Sequence, residues 1–265
     1  MKRMKNILSL SLLVVYVVLV SGFINSKEQV QKIGTLKIKV TDSIQNQFIR
    51  SAEIRNLLEQ NKYNLFGEKT GSVDLGGIER MLRTQQIISE AEVFITEPGV
   101  MHVEISQKTP FVRVFNRYGQ GYYLDRQGSI IPLSGSFSPF VIVANGFIAE
   151  PFTIGQTLNI HDVRHDSLPR SQNIIYEVYG LAEFITQDEF WNAQIEQIYV
   201  NNKYEFELIP RVGSHIIELG RAEDLEEKFD KLKILYQKGF NKIGWNQYEK
   251  IILKYKNQVV CTKIQ

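Results

Sequence analysis

The residue types with the greatest chemical potential lie in HDVRHD, residues 161–166. His161 and His165 would share one face of a helix, with Asp162 and Asp166 beside them, and imidazole and carboxylate groups so arranged bind zinc. A zinc site also needs a third protein ligand, and none follows at a suitable spacing. We therefore interpret the segment as a polar surface loop. The sequence predicts no metal site and no cofactor.

Two further patterns are compatible with catalysis or phosphate binding, and neither is specific. Ser134 and Ser136 precede several histidines and aspartates, but the G-x-S-x-G elbow of serine hydrolases is absent. GQG at residues 119–121 is too short for a phosphate-binding loop and is typical of a turn. No catalytic residue can be assigned, and we expect a protein that is not an enzyme.

The composition is that of a folded protein without a polyanionic partner. The 265 residues are enough for one large or two small domains, and 43% of them are hydrophobic. A formal net charge of +2 gives no indication of nucleic-acid binding. Cys261 is the single cysteine, so no intrachain disulfide forms, and we expect its thiol to be packed in an apolar strand rather than reactive.

The amino terminus has the pattern of a membrane anchor. A basic tip at residues 1–6 precedes residues 7–24, an uncharged and mostly apolar run that is just long enough to cross a hydrocarbon core of roughly 30 Å. The basic tip favours a cytoplasmic amino terminus, with the bulk of the chain outside the membrane. A signal peptide cleaved after Gly22 is the alternative, and it also exports the bulk of the chain.

Apolar periodicity predicts an α+β fold that begins with a small domain. Residues 36–107 give the order strand, helix, helix, strand, strand, with Pro98 and Gly99 as the turn between the last two strands. Ser51 is the expected N-cap of the first helix, and the second helix is expected at residues 74–90. Two helices on one face of a three-stranded sheet would close such a domain.

Beyond Pro110 the pattern changes to a larger, strand-rich domain at residues 111–265. We expect a mixed α/β arrangement with a mainly antiparallel sheet and with helices at residues 173–186 and 222–239. The second of these is expected to end at Gly239 and to pack its apolar face on the sheet rather than on a membrane.

The carboxyl end predicts two paired strands and an exposed sheet edge. Residues 248–255 alternate apolar and charged side chains, residues 256–258 suit a tight turn, and residues 259–264 are rich in strand-forming types. The free N–H and C=O groups of an edge strand invite pairing. The residues alone leave two interpretations open. The edge binds a strand of another protein, or it is solvated and guarded by Lys254, Lys256 and Lys263.

In their order along the chain these features resemble the bacterial cell-division family FtsQ, called DivIB in some lineages. VDLGGIERMLRTQQIISEAEV is similar to the second helix of the family's small module, running into its strand. YYLDRQGSIIPLS resembles the hairpin that opens the family's β domain, and WNQYEKIILKYKNQVVCTK resembles its closing strands. The resemblance covers nearly the whole chain. Residues 151–172 have no counterpart in it, and the cytoplasmic tip is shorter than in many relatives.

The resemblance implies a POTRA domain at residues 36–107 and a β domain at residues 111–265, both outside the cytoplasmic membrane. It implies a non-catalytic scaffold, enriched at the division septum, that links early and late division proteins by binding the small coiled-coil membrane proteins FtsB and FtsL. In the family the partner docks beside the last strands. Carried onto this sequence, the partner-binding residues are Tyr255, Val259, Val260, Cys261, Thr262, Lys263 and Ile264.

Two other functions stay open. POTRA-like modules also occur in exported components of outer-membrane assembly and secretion systems, which typically carry several such modules or a long transmembrane barrel. An exported hydrolase would need a convergent acid, base and nucleophile, which the sequence does not indicate.

Overall fold

The computed structural model describes residues 13–19, 31–42, 47–97, 99–150, 159–162, 169, 173–240 and 244–264. The chain divides into two compact units, residues 1–107 and residues 108–265. Residues 13–19 are helical and exposed, and the rest of the predicted anchor lies outside the described residues. Within the part of the chain that is described, no helix has the length and apolar character needed to cross a bilayer.

The first unit has the predicted order of one strand, two helices and two strands. Its strands are β1 (Thr35–Val40), β2 (Ile88–Glu97) and β3 (Val100–Gln107), and its helices are α1 (Ser51–Gln60) and α2 (Leu75–Arg83). The sheet order is β1-β3-β2, with β1 parallel and β2 antiparallel to the central strand. Gly99, between β2 and β3, has a φ of +79°, and a Cβ at this position would lie 2.7 Å from the Lys32 carbonyl oxygen, so the turn favours glycine for both reasons.

The core of this unit follows from the apolar spacing of its helices and strands. Ile54 and Leu58 share one face of α1, Ile78 and Leu82 share one face of α2, and all four are buried. They pack with alternate residues of the strands in one hydrophobic cluster, which includes Ala91, Val93, Met101, Val103 and Ile105.

Two boundary predictions for this unit were wrong by a few residues. Arg50 rather than Ser51 is the N-cap of α1, and the N–H of Arg50 donates to the Glu53 carboxylate at 2.8 Å. Helix α2 ends at Arg83, and β2 already begins at Ile88. Local hydrogen bonds close the last turn of α2 before the extended chain begins.

The second unit is built on one sheet of nine described strands. They are β4 (Pro110–Phe115), β5 (Gly121–Asp125), β6 (Ile130–Pro132), β7 (Ile142–Gly146), β8 (Ile195–Val200), β9 (Phe206–Pro210), β10 (Ile216–Gly220), β11 (Tyr248–Ile252) and β12 (Val260–Lys263). Their order is β12-β11-β10-β9-β8-β7-β4-β5-β6. Five of the eight neighbouring pairs are antiparallel and three are parallel, so the sheet is mixed.

Apolar faces of the helices of this unit contribute to its core. The helices are α3 (Ile174–Gln187), α4 (Glu189–Gln194) and α5 (Leu225–Ile234), and a π-helical segment, Leu235–Phe240, follows α5. Phe229 and Leu232 of α5, with Tyr236 of the π-helical segment, are buried in the cluster that also contains the inner residues of β8 to β11. The apolar face of residues 222–239 therefore packs inside the unit.

One prediction for these helices was wrong, and one helix was not predicted. Gly239 does not end the last helix, because the π-helical segment continues through it to Phe240, and a Cβ at Gly239 would lie 2.8 Å from Leu235 Cδ1. Helix α4 was not predicted, because six residues are too few to show a helical period. Asp188 begins it by accepting the N–H of Phe190 at 2.8 Å.

Candidate functional site

The last strand of the chain lies at an edge of the larger sheet. β12 pairs antiparallel with β11, with Cys261 opposite Ile251, and it is the outermost strand in the sheet order. Asn257, in the turn between the two strands, has a φ of 61°, a left-handed conformation that asparagine tolerates. Among the described residues, none pairs with the outer side of β12. The predicted turn and edge are present, and their role in partner binding remains a prediction.

The hydrogen bonds of β11 show which backbone groups face which neighbour. The N–H of Leu253, just after β11, donates to the carbonyl of Glu218 in β10 at 2.9 Å, so it faces β10. Backbone groups alternate in direction along a strand, so those of Lys250 and Ile252 point the other way, towards β12. These two residues therefore form the hydrogen-bonded pairs with the edge strand.

The same alternation identifies the free side of β12. Val260 and Thr262 lie opposite Ile252 and Lys250, so their N–H and C=O groups are used within the sheet. Ile264 continues this pattern, because its N–H donates to the backbone carbonyl of Gln247 at 3.2 Å. Cys261 and Lys263 alternate with these residues, so they direct their N–H and C=O groups outward, away from β11.

The side chains of this segment separate into an inner and an outer face. Cys261 is half-buried and packs with Val259 against the core of the unit, and burial raises the pKa of its thiol. Val260 is 38% exposed and Ile264 is 49% exposed. Within the described part of the chain, the outer edge thus combines an unpaired backbone with two apolar side chains, which is an arrangement suited to strand addition.

An ion network holds β11, and with it the edge strand, against the rest of the sheet. Lys254 Nζ lies 2.7 Å from Glu205 and 3.4 Å from Glu218, and Lys250 Nζ lies 3.1 Å from Glu218. The hydrogen bond from Lys254 lowers the pKa of Glu205 and, reciprocally, raises the pKa of Lys254. Burial acts to raise the pKa of Glu218, but the two lysines together lower it.

A cleft of about 270 Å³ lies beside the loop that joins β11 to β12. Lys231 on α5 pairs with Glu227 at 3.1 Å and also donates to the backbone carbonyl of Tyr255 at 3.4 Å, which attaches the helix to this loop. The Tyr255 side chain is 51% exposed. Acidic and basic side chains line the cleft together: Glu205, Arg221, Glu223, Asp224, Glu227, Lys228, Lys231, Lys254 and Lys256.

The other edge strands of the described sheets carry features that disfavour pairing. On β2 the N–H of Val93 donates to Glu79 Oε1 at 2.9 Å, and Arg83 Nη2 donates to the carbonyl of Ala91 at 2.8 Å. Both side chains come from α2, and together they occupy outward-facing backbone groups of the strand. Sequence reasoning missed these two residues, because their role depends on how α2 packs beside β2.

β6 and β1 are protected by simpler means. The carbonyl of Ser129 accepts the N–H of Asp125, so by alternation Pro132 faces outward on β6, where it offers no N–H. β1 carries the exposed lysines Lys37 and Lys39, and charged side chains discourage strand pairing. Pro132 and these lysines are signals that the sequence already contained.

The residues first considered for chemistry do not form a site in the described structure. His161 is exposed and packs against the ring of Tyr179 at 5.5 Å, while the Asp162 side chain, His165 and Asp166 lie outside the described residues. Among the described residues, no group of three or more histidine, cysteine or acidic residues is arranged to hold a metal. Ser134 and Ser136 hydrogen bond to each other at 3.0 Å.

Comparison with known families assigns each unit separately. A family model described as "FtsQ/DivIB, C-terminal related" matches residues 109–262, which is more than half of the chain and includes most of β12. A model described as "POTRA-like domain" matches residues 31–106. No individual curated protein matches the chain.

Proposed function

Because this chain belongs to the FtsQ/DivIB family, we propose that it is a non-catalytic scaffold that links early and late division proteins at the septum. Its POTRA-like unit and its C-terminal unit are both of the kind found in division-associated proteins of this family. The observation that carries the proposal is the outer side of β12, where no described residue pairs with Cys261 or Lys263.

The partners are small coiled-coil membrane proteins of the FtsB and FtsL type, captured by strand addition. A partner strand would exchange backbone hydrogen bonds with Cys261 and Lys263, which supplies affinity without regard to side chains. Val260 and Ile264 on the outer face, with Tyr255 beside the cleft, then contribute specificity. No cofactor and no small-molecule substrate take part.

The proposed location is the cytoplasmic membrane, with residues 7–24 as a single anchor and both units outside it. The basic tip and the uncharged run support this orientation. Cleavage after Gly22 would instead release the two units, and the mass of the mature chain distinguishes the two cases.

A tagged full-length copy that replaces the native gene tests the function. We expect a fluorescent band at midcell and co-purification of the FtsB- and FtsL-type proteins of the same cells. Removing residues 259–265 should abolish recovery of these partners while leaving the protein in the envelope. A uniform envelope signal, with no division protein recovered, would contradict the scaffold and favour the alternative, an exported POTRA-containing module of an assembly or secretion system.

A further inference from the structure

Two copies of this chain can pair strand to strand through β12, whose outer side pairs with none of the described residues. Two other described edges are less open, because Glu79 and Arg83 occupy outward backbone groups of β2 and Pro132 offers no N–H on β6. Each copy therefore offers β12, and any such contact uses the same strand on both sides. A contact of this kind is two-fold symmetric and closes after two chains, so it forms a dimer and not a filament.

The side chains of β12 select one register for such a pair. Since Cys261 and Lys263 point outward, an antiparallel two-fold axis can pass through residue 261, 262 or 263. An axis at Lys263 sets two lysines directly opposite each other, which is destabilising. An axis at Cys261 sets Val260 opposite Thr262. An axis at Thr262 sets Val260 of each copy opposite Ile264 of the other, which covers both exposed apolar side chains.

We propose that two copies of the chain pair through β12 in the antiparallel register centred on Thr262. In this dimer Cys261 of each copy exchanges its backbone hydrogen bonds with Lys263 of the other, so both outward-facing rows are filled. The contact is one strand wide, which makes the dimer weak and readily displaced. If the proposed function holds, the dimer and the FtsB- or FtsL-type partner compete for the same edge; the dimer itself does not depend on that function.

Disulfide trapping tests the register in the full chain. In a Cys261→Ser background, Thr262→Cys places two thiols across a non-hydrogen-bonded pair, where Cα atoms lie about 4.5 Å apart and a disulfide can form. Val260→Cys in the same background is the matched control. Its two copies are four residues apart along the strands, about 13 Å, which is beyond disulfide reach. Both positions lie on the outer face of β12.

We expect mild oxidation to give a covalent dimer of the Thr262→Cys protein and little of the Val260→Cys protein. Mixing Val260→Cys with Ile264→Cys should restore the dimer, because that register pairs the two positions. Equal trapping of Thr262→Cys and Val260→Cys overturns the proposal. The proposal is also overturned if neither protein is trapped and the wild-type chain sediments as a monomer at high concentration. Circular dichroism checks that each variant is folded.

Adding the FtsB- and FtsL-type proteins separates this inference from the proposed function. When the partner is added before oxidation, a lower yield of the Thr262→Cys covalent dimer supports competition for the edge. If the partner binds and the yield of dimer is unchanged, competition for the edge is contradicted. If no partner binds and the dimer still forms, the proposed function is contradicted. In both cases the proposed dimer is still supported.

Discussion

The edge strands β2 and β12 differ in how their outward backbone groups are satisfied. On β2, α2 supplies Glu79 for the N–H of Val93 and Arg83 for the carbonyl of Ala91. On β12, no described residue serves Cys261 or Lys263 in this way. An unprotected strand edge is a liability for aggregation. The contrast between this open edge and the protected ones is what supports the proposal that β12 receives a partner strand.

The largest expected effect comes from placing proline at alternate positions of β12. Cys261→Pro removes an outward N–H that is bonded to none of the described residues, so the fold should survive and partner recovery should fall about tenfold. Val260→Pro removes an N–H used by β11 and should disrupt β12, with loss of partner and a cost of about 1–3 kcal/mol. Pull-down and urea denaturation measure the two effects, and Cys261→Ser is the control that keeps the N–H. Unchanged recovery with folded Cys261→Pro would refute the site.

Lys254→Met should loosen the strand pair that carries the open edge. It leaves Glu205 and Glu218 without their shared cation, and we expect the free energy of unfolding to fall by about 1–2 kcal/mol, since the groups are partly exposed. Lys256→Met removes the same charge from an exposed side chain and should change stability by less than about 0.5 kcal/mol. Equal effects of the two changes would argue against the network.

The contribution of this network should depend on pH in a defined direction. Both carboxyl groups have a lowered pKa in the fold, so the network stabilises fully above the unfolded value of about 4.3. The stabilisation is lost as pH falls through the lowered folded values. The stability difference between the wild type and Lys254→Met, followed by denaturation from pH 7 to pH 3, should therefore shrink only below about pH 4. A difference that is constant across this range would contradict the account.

Glu79→Ala opens the protected edge of β2, which makes this edge more like the open edge of β12. The N–H of Val93 loses its acceptor, and we expect a loss of about 1 kcal/mol in stability together with faster exchange of that amide. Glu92→Ala, an exposed glutamate on the same strand, is the matched control. If both changes affect the Val93 amide equally, Glu79 does not protect the edge.

Pro132→Ala should have the smallest effect. It restores an N–H at the outer side of β6 and should leave stability within about 0.5 kcal/mol of the wild type. It should, however, raise the tendency of the protein to self-associate in sedimentation experiments, which Pro139→Ala, in a loop, should not. No change in self-association would mean that the short length of β6 already suffices to protect it.

The sequence predicted the open edge because the necessary information is local. Alternation in β11, the turn at Asn257 and the strand-forming run after it are all contained within the last 18 residues. The β-α-α-β-β order of the first unit was predictable for the same reason, since each of its helices and strands has a clear period.

The protection of the other edges and the support of β12 could not be predicted in this way. Lys254 and Glu205 are 49 residues apart in sequence, and their contact depends on the order of β9, β10 and β11 in the sheet. Glu79 and Arg83 resemble any exposed helical ion pair until the position of β2 is known. Helix α4 was missed because it has only six residues, which is too short to show a helical period of apolar residues. Trp191 is its buried residue.

Amide hydrogen exchange along β12, in dilute full chain with and without its FtsB- and FtsL-type partners, tests the central claim most directly. In the free chain the amides of Cys261 and Lys263 should exchange at unprotected rates, while those of Val260 and Thr262 are slowed by β11. Binding should protect Cys261 and Lys263 and leave the other two little changed. Protection of Cys261 and Lys263 in the free monomer, or their continued rapid exchange in the complex, would contradict an open edge that captures a partner strand.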